Sequence, residues 1–174
     1  MAEVPVKFLA AVLFSPGFDM KGKLYPELER AFTSIDSESE DYDFDKTDYY
    51  ADEMGNNLRR RLLSFSGLLP ATELVSRKLA CHQIERRFCD NGSRRVNIDP
   101  GYIDYFKVVL ASFKEGPQKI YLGESVFADM ILLYEGGEFR VLPWTFPDFR
   151  EGIYMQYLKK VREIYRSERR KIVD

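Results

Sequence analysis

At 174 residues the chain is sized for one domain, and a chain this long buries roughly 70% of its unfolded surface, so it needs no disulfide or metal staple. Hydrophobic residues make up 45% and charged residues 31%, an ordinary globular balance. The formal net charge of −2 argues against nucleic acid as a partner, which calls for a strongly basic face; one histidine and two cysteines argue against a zinc site.

The first apolar run, residues 8–14 (FLAAVLF), is too short to span a membrane. No small-residue cleavage site follows it. It reads as part of a buried strand over residues 6–14, and a cytoplasmic, membrane-free protein is expected. Ser15-Pro16-Gly17 breaks that strand, and residues 24–32 read as a short helix with Pro26 in its first turn. Between Asp36 and Glu53 there are nine acidic residues and one lysine. Asp41, Asp43 and Asp45 alternate with Tyr42 and Phe44, the period of a strand with one wet face. Asp48, Tyr49, Tyr50 and Glu53 lie beyond the alternation in an expected loop, where function more often resides. Residues 59–69 fit either a strand or a turn. Pro70 opens a helix over 71–88, with Leu74, Cys81, Ile84 and Phe88 on one stripe and His82 beside it. Cys81 and Cys89 would sit about 12 Å apart on that helix. That exceeds the roughly 7 Å limit of a disulfide, so free thiols are expected.

Residues 94–98 read as a strand and 100–113 as a helix, with Asp99 as N-cap and Pro100 at the first helical position. As structure this is a well-made turn. As a site it is a strand-to-helix junction that presents free N–H groups to an anion, with the Arg94 or Arg95 guanidinium and Asn97 beside it. Tyr49, Tyr50 or Tyr102 would pack on the ligand body. Asp99 would repel that anion unless a cation bridged them. Magnesium, held by Asp48, Glu53, Asp99 and Asp129, would do so.

Residues 118–122, 126–134 and 139–142 read as strands, the last two joined by a Glu-Gly-Gly hairpin turn. Asp129 shares a strand face with Phe127, Ile131 and Leu133. A carboxylate buried there must pair, bind metal or keep its proton. Trp144 and Asp148 fall in a proline-bounded loop, with the indole either a lid over the core or a stacking platform. A last helix over 152–170 puts Tyr154, Tyr157, Leu158, Val161, Ile164 and Tyr165 on its apolar face. Basic residues dominate the tail over 166–174. There is no phosphate-binding Gly-x-x-x-x-Gly-Lys loop and no serine nucleophile elbow. The order of elements predicts a single α+β domain over 1–174, with a mixed, largely antiparallel sheet and helices packed mainly on one side.

The phrases DFDKTDYYADEMG, RLLSFSGLL, RRVNIDPGY, VLASFK, KIYLGESVFADMILLYEGGEF and LPWTFPDF run in order along residues 6–165. In them the chain resembles the domain of unknown function 4416 family. The resemblance implies a stand-alone single-domain protein and carries no activity with it. The residues themselves favour binding of a small anionic ligand, phosphorylated or nucleotide-like. A magnesium-dependent enzyme acting on phosphoesters or phosphoanhydrides is the first alternative. A protein-interaction module without a small ligand, self-association included, is the second.

Overall fold

The computed structural model describes residues 4–45 and 50–173. Its central strand, β1 (Pro5–Phe14), is buried from Val6 onward. Val6, Phe8, Ala10 and Val12 enter one core, while Leu9 and Ala11 enter another on the opposite face. A strand covered on both faces reads as a continuous apolar run rather than an alternating one, which is the pattern of residues 8–14. Lys7 is the exception, fully buried, its ammonium held by Asp36 and by both carboxylate oxygens of Glu168 at 3.0 Å.

On one side of β1 lies β4 (Arg59–Phe65), followed by β2 (Ile35–Glu38) and the short β3 (Tyr42–Asp43); β5 (Leu69–Pro70) also pairs with β1. On the other side come β8 (Val96–Ile103), β9 (Lys107–Ser112), β11 (Val126–Glu135) and β10 (Ile120–Gly123), with β12 (Glu138–Val141) also on β11. These ten strands form one antiparallel sheet. A separate hairpin joins β6 (Cys89–Asp90) to β7 (Ser93–Arg94).

The α+β class and the antiparallel sheet agree with the sequence reading; the placement of the helices differs from it. They cover both faces. Leu28 of α1 (Tyr25–Ala31) and Leu74, Cys81 and Ile84 of α3 (Leu74–Arg87) pack on one. Tyr154 and then Tyr157, Leu158, Val161 and Tyr165 of α5 (Met155–Val173) pack on the other. The reason lies in the sheet: β9 sends Val109 and Ala111 one way and Val108 and Leu110 the other, so neither face can stay wet. Single-turn helices α2 (Ala51–Met54) and α4 (Pro147–Arg150) complete the set. No described helix is long and apolar enough to cross a membrane.

The largest departure concerns residues 100–113. No helix forms there; β8 runs straight through Asp99-Pro100-Gly101, and β9 follows. The chain reverses at Asp104 instead, whose Oδ1 accepts the amides of Phe106 at 2.7 Å and Lys107 at 3.0 Å. An aspartate that bonds its own downstream amides makes a turn without needing glycine. Cys89 likewise lies beyond α3, in β6, and both cysteines are free thiols.

Asp99-Pro100-Gly101 marks where the sheet splits. The β8–β9 ladder holds only three pairs, Gly101 with Leu110, Tyr102 with Val109 and Ile103 with Val108. Upstream of Gly101, β8 stays with β1 as far as Val96, while β9 follows β11 out to Ser112. Two side chains of α3 take over the strand edge left open: Glu85 Oε1 accepts the Ile98 amide at 2.5 Å, and Lys78 Nζ reaches the Ile98 carbonyl at 3.2 Å. Pro100, two residues on, points its nitrogen to the same open edge, where a missing N–H leaves no ladder bond unmade.

Candidate functional site

A cavity of about 480 Å³ occupies this split. β8 supplies Asn97 and Asp99, β9 supplies Leu110, Ala111 and Ser112, and the segment after β9 supplies Phe113, Lys114 and Lys119. Asp129 of β11, Arg60 of β4, and Lys78, His82 and Glu85 of α3 close it in. Phe44, Tyr50 and Arg94 form a further wall, and Phe146, Pro147, Asp148 and Phe149 another.

Three groups of polar side chains face this space. The first is a chain of paired charges. Arg94 holds both oxygens of Glu53, at 2.6 and 2.7 Å, and donates to Asn97 Oδ1 at 2.9 Å. Asn97 passes the contact to Asp99 Oδ2 at 2.9 Å, and Asp99 Oδ1 takes Lys78 at 3.1 Å. Glu85 stands behind, 3.5 Å from Arg94 and 3.6 Å from His82 Nδ1. Burial pushes the Glu85 carboxyl above its ordinary range, against the opposing pull of the Ile98 amide and Lys78. Burial works against the charge of Lys78 as well, but Asp99 and Glu85 outweigh it and its pKa is raised. Tyr50, buried beside Asp99, is pushed up to about 12.

The second group joins Arg60 to Asp148 across 3.5 Å, with Tyr154 donating to Asp148 Oδ2 at 3.0 Å and the Arg60 guanidinium 4.8 Å over the Phe44 ring. Arg60 Nε is buried without a hydrogen-bond partner.

The third group is Asp129 with Lys119. Asp129 is 1% exposed, and neither carboxylate oxygen makes a hydrogen bond of ordinary geometry, although Lys119 and Gln118 both direct donors toward it. Lys119 Nζ lies 3.6 Å from Oδ2 and spends a donor on Ser112 Oγ at 3.0 Å. Burial raises the Asp129 pKa, with Lys119 and Gln118 opposing. A carboxyl whose folded pKa lies above its unfolded value is most favourable to the fold below the unfolded pKa, and loses that advantage as pH rises through the folded one. The isostere Asp129→Asn removes this dependence. Its melting temperature is therefore expected to improve relative to the natural protein as pH rises from about 4 to 7. Parallel thermal melts check this; a difference constant with pH contradicts it.

The sequence candidates divide accordingly. Tyr50, Arg94, Asn97, Asp99, Asp129 and Asp148 line the cavity. Glu53 stands behind Arg94 with both oxygens engaged. Arg95 is no part of the lining and lies 4.0 Å from Asp90. Tyr102 faces the other core, its ring 6.4 Å from that of Phe8. Trp144 donates Nε1 to the Met130 carbonyl at 2.8 Å and is no part of the lining. Asp48 and Tyr49 lie outside the described residues. Asp99 caps no helix; in mid-strand it is the counter-ion of Lys78, so the strand-to-helix anion site does not exist. Of the magnesium candidates, Glu53 and Asp99 are held by Arg94, and by Lys78 and Asn97. No group of three or more candidate metal ligands gathers among the described residues.

Sequence reasoning passed over Arg60, Lys78, Glu85, Lys114 and Lys119. Lys78 and Glu85 left a readable sign. Leu74, Lys78, Cys81 and Glu85 follow the spacing of one helix face, and all four are buried.

The fold and cavity together define an α+β protein whose split antiparallel sheet encloses a highly charged pocket. The chain belongs to the family named Domain of unknown function (DUF4416), which matches residues 4–165. No curated protein and no solved structure matches the chain.

Proposed function

We propose that the cavity binds a small organic anion, phosphorylated or nucleotide-like. One observation carries this reading. Among the described residues, five buried side-chain atoms make no hydrogen bond of ordinary geometry, and three of them, Asp129 Oδ1, Asp129 Oδ2 and Arg60 Nε, belong to residues that line this one cavity. A folded protein rarely leaves buried polar atoms unpaired, and their clustering in one hollow is what a site awaiting a polar ligand requires. The sign of the ligand follows from the lining. Arg60, Lys78, Arg94, Lys114 and Lys119 stand against Glu85, Asp99, Asp129 and Asp148, and burial favours the neutral form of Glu85. The volume falls within the range of small-molecule sites, and Phe44, Phe113, Phe146 and Phe149 provide apolar walls.

The test is a thermal-shift series with inorganic phosphate, pyrophosphate, sugar phosphates and nucleotides, with and without magnesium. A ligand at 100 times its Kd stabilises the fold by about 2.7 kcal/mol, roughly 5–10 °C for a chain of this size. Lys119→Gln is expected to weaken the responding ligand by about tenfold. A response untouched by this substitution places the ligand elsewhere and removes the reading.

A further inference from the structure

The two bare oxygens of Asp129 say what else the ligand carries. Building on the anion-binding reading, we propose that the ligand is a sugar phosphate, a polyhydroxylated anion whose adjacent hydroxyl groups donate to Asp129 while its phosphate is received by the basic side chains.

Asp129 sits opposite Leu110 in the β9–β11 ladder, on the strand face that α5 covers. An ionised carboxylate only accepts hydrogen bonds. A fully ionised phosphate likewise only accepts, so it leaves both oxygens of Asp129 bare. A ligand that brings two donors of its own completes both oxygens.

Those donors are neutral. A ligand ammonium or guanidinium at Asp129 would meet Lys119, 3.6 Å from the carboxylate, in a cavity also lined by Arg60, Lys78 and Arg94. The other acids could not offset that repulsion, because each has partners already. Asp99 takes Lys78 and Asn97, Asp148 takes Tyr154 and faces Arg60, and Glu85 accepts the Ile98 amide. Hydroxyl groups satisfy Asp129 without adding positive charge. Two on neighbouring carbons match the paired acceptors of one carboxylate, as the vicinal diols of sugars do. The rings of Phe113, Phe146 and Phe149 offer apolar surface to the carbon faces of such a sugar. Lys119 serves both halves, as counter-ion to Asp129 and as donor to the phosphate.

Calorimetric titration of the natural protein separates the two claims. The probes are ribose 5-phosphate and glucose 6-phosphate, n-butyl phosphate (which carries the charge but no hydroxyls), inorganic phosphate, and free ribose. At least one sugar phosphate is expected to bind about tenfold or more tightly than n-butyl phosphate, since only hydroxyls complete the buried acceptors. In Asp129→Asn that preference falls to about threefold or less, while inorganic phosphate binds at least as well as before. Equal binding of sugar phosphates and n-butyl phosphate overturns the hydroxyl claim and leaves the anion reading standing. Free ribose binding as tightly as its phosphate, or no phosphate binding at all, overturns the anion reading itself. The comparison within the natural protein decides the matter even if the variant does not fold.

Discussion

Gly101→Ala is expected to cost about 3 kcal/mol of stability, roughly 6–12 °C in melting temperature. A Cβ at this position would lie 2.1 Å from the Val109 carbonyl oxygen and 2.6 Å from Leu110 Cδ2. The first is backbone, so no rotamer change relieves it. Gly101 is the last residue of β8 paired to β9 before the strands part. Pushing it away from Val109 breaks the short ladder that holds the closed end of the split. Thermal and chemical denaturation of the purified variant measure the loss. A melting temperature within about 2 °C of the natural protein would mean that the strands can separate freely and that the split is not a fixed feature.

Lys78→Met is expected to lose a similar amount, about 3 kcal/mol at neutral pH. Methionine fills the space of the lysine stem but leaves the Ile98 carbonyl without its partner and Asp99 with only Asn97. Glu85 loses a favourable charge at the same time. The pH dependence distinguishes this loss from one of packing. Without Lys78 the folded-state pKa of Glu85 rises further, so its ionised form weighs more heavily against the variant. Protonating Glu85 as pH falls removes that burden. The deficit should therefore be largest near pH 7 and shrink toward pH 4. A deficit of the same size at both values would assign Lys78 to packing alone.

These two positions show how much of the molecule was legible beforehand. The central strand, the helix after Pro70, the late hairpin and the final helix announced themselves through local pattern, since each is a long run with one period or a clear breaker. Residues 100–113 did not, because Asp-Pro-Gly satisfies the rules for a helix start and for a strand leaving its neighbour alike. Lys78 and Glu85 arrive from α3 to hold Ile98, a tertiary contact of which residues 100–113 themselves carry no trace. The helix-bound anion site failed with that element. Whether the acids and arginines converge could not be read from the sequence. Arg94, Asn97, Asp99 and Asp129 come together through the parting of β8 and β9. Asp129 was legible by type alone, as an acid in an apolar strand. Its want of hydrogen-bond partners could only be seen in three dimensions. Arg60, on a strand whose reading was open, gave no sign that its guanidinium would be buried.

The split also explains how the protein tolerates so many buried charges. In an unbroken sheet, Lys78 and Glu85 would have no strand edge to bond, and Asp129 would face only side chains of the core. The opening turns one end of the β8–β9 pair into a lined hollow and leaves the remaining strands to hold the fold. A buried carboxylate whose counter-ion, Lys119, stands 3.6 Å away is a stability cost that the rest of the fold must offset.

The most direct test of anion binding in the split sheet is an amide chemical-shift map recorded during titration with inorganic phosphate. The expected result is saturable shifts centred on Ser112, Phe113, Lys114, Lys119 and Asp129, with the far core around Phe8 and Phe65 unmoved. Shifts confined to the basic end of α5, around Arg166 to Lys171, would contradict the account and leave the cavity without its ligand.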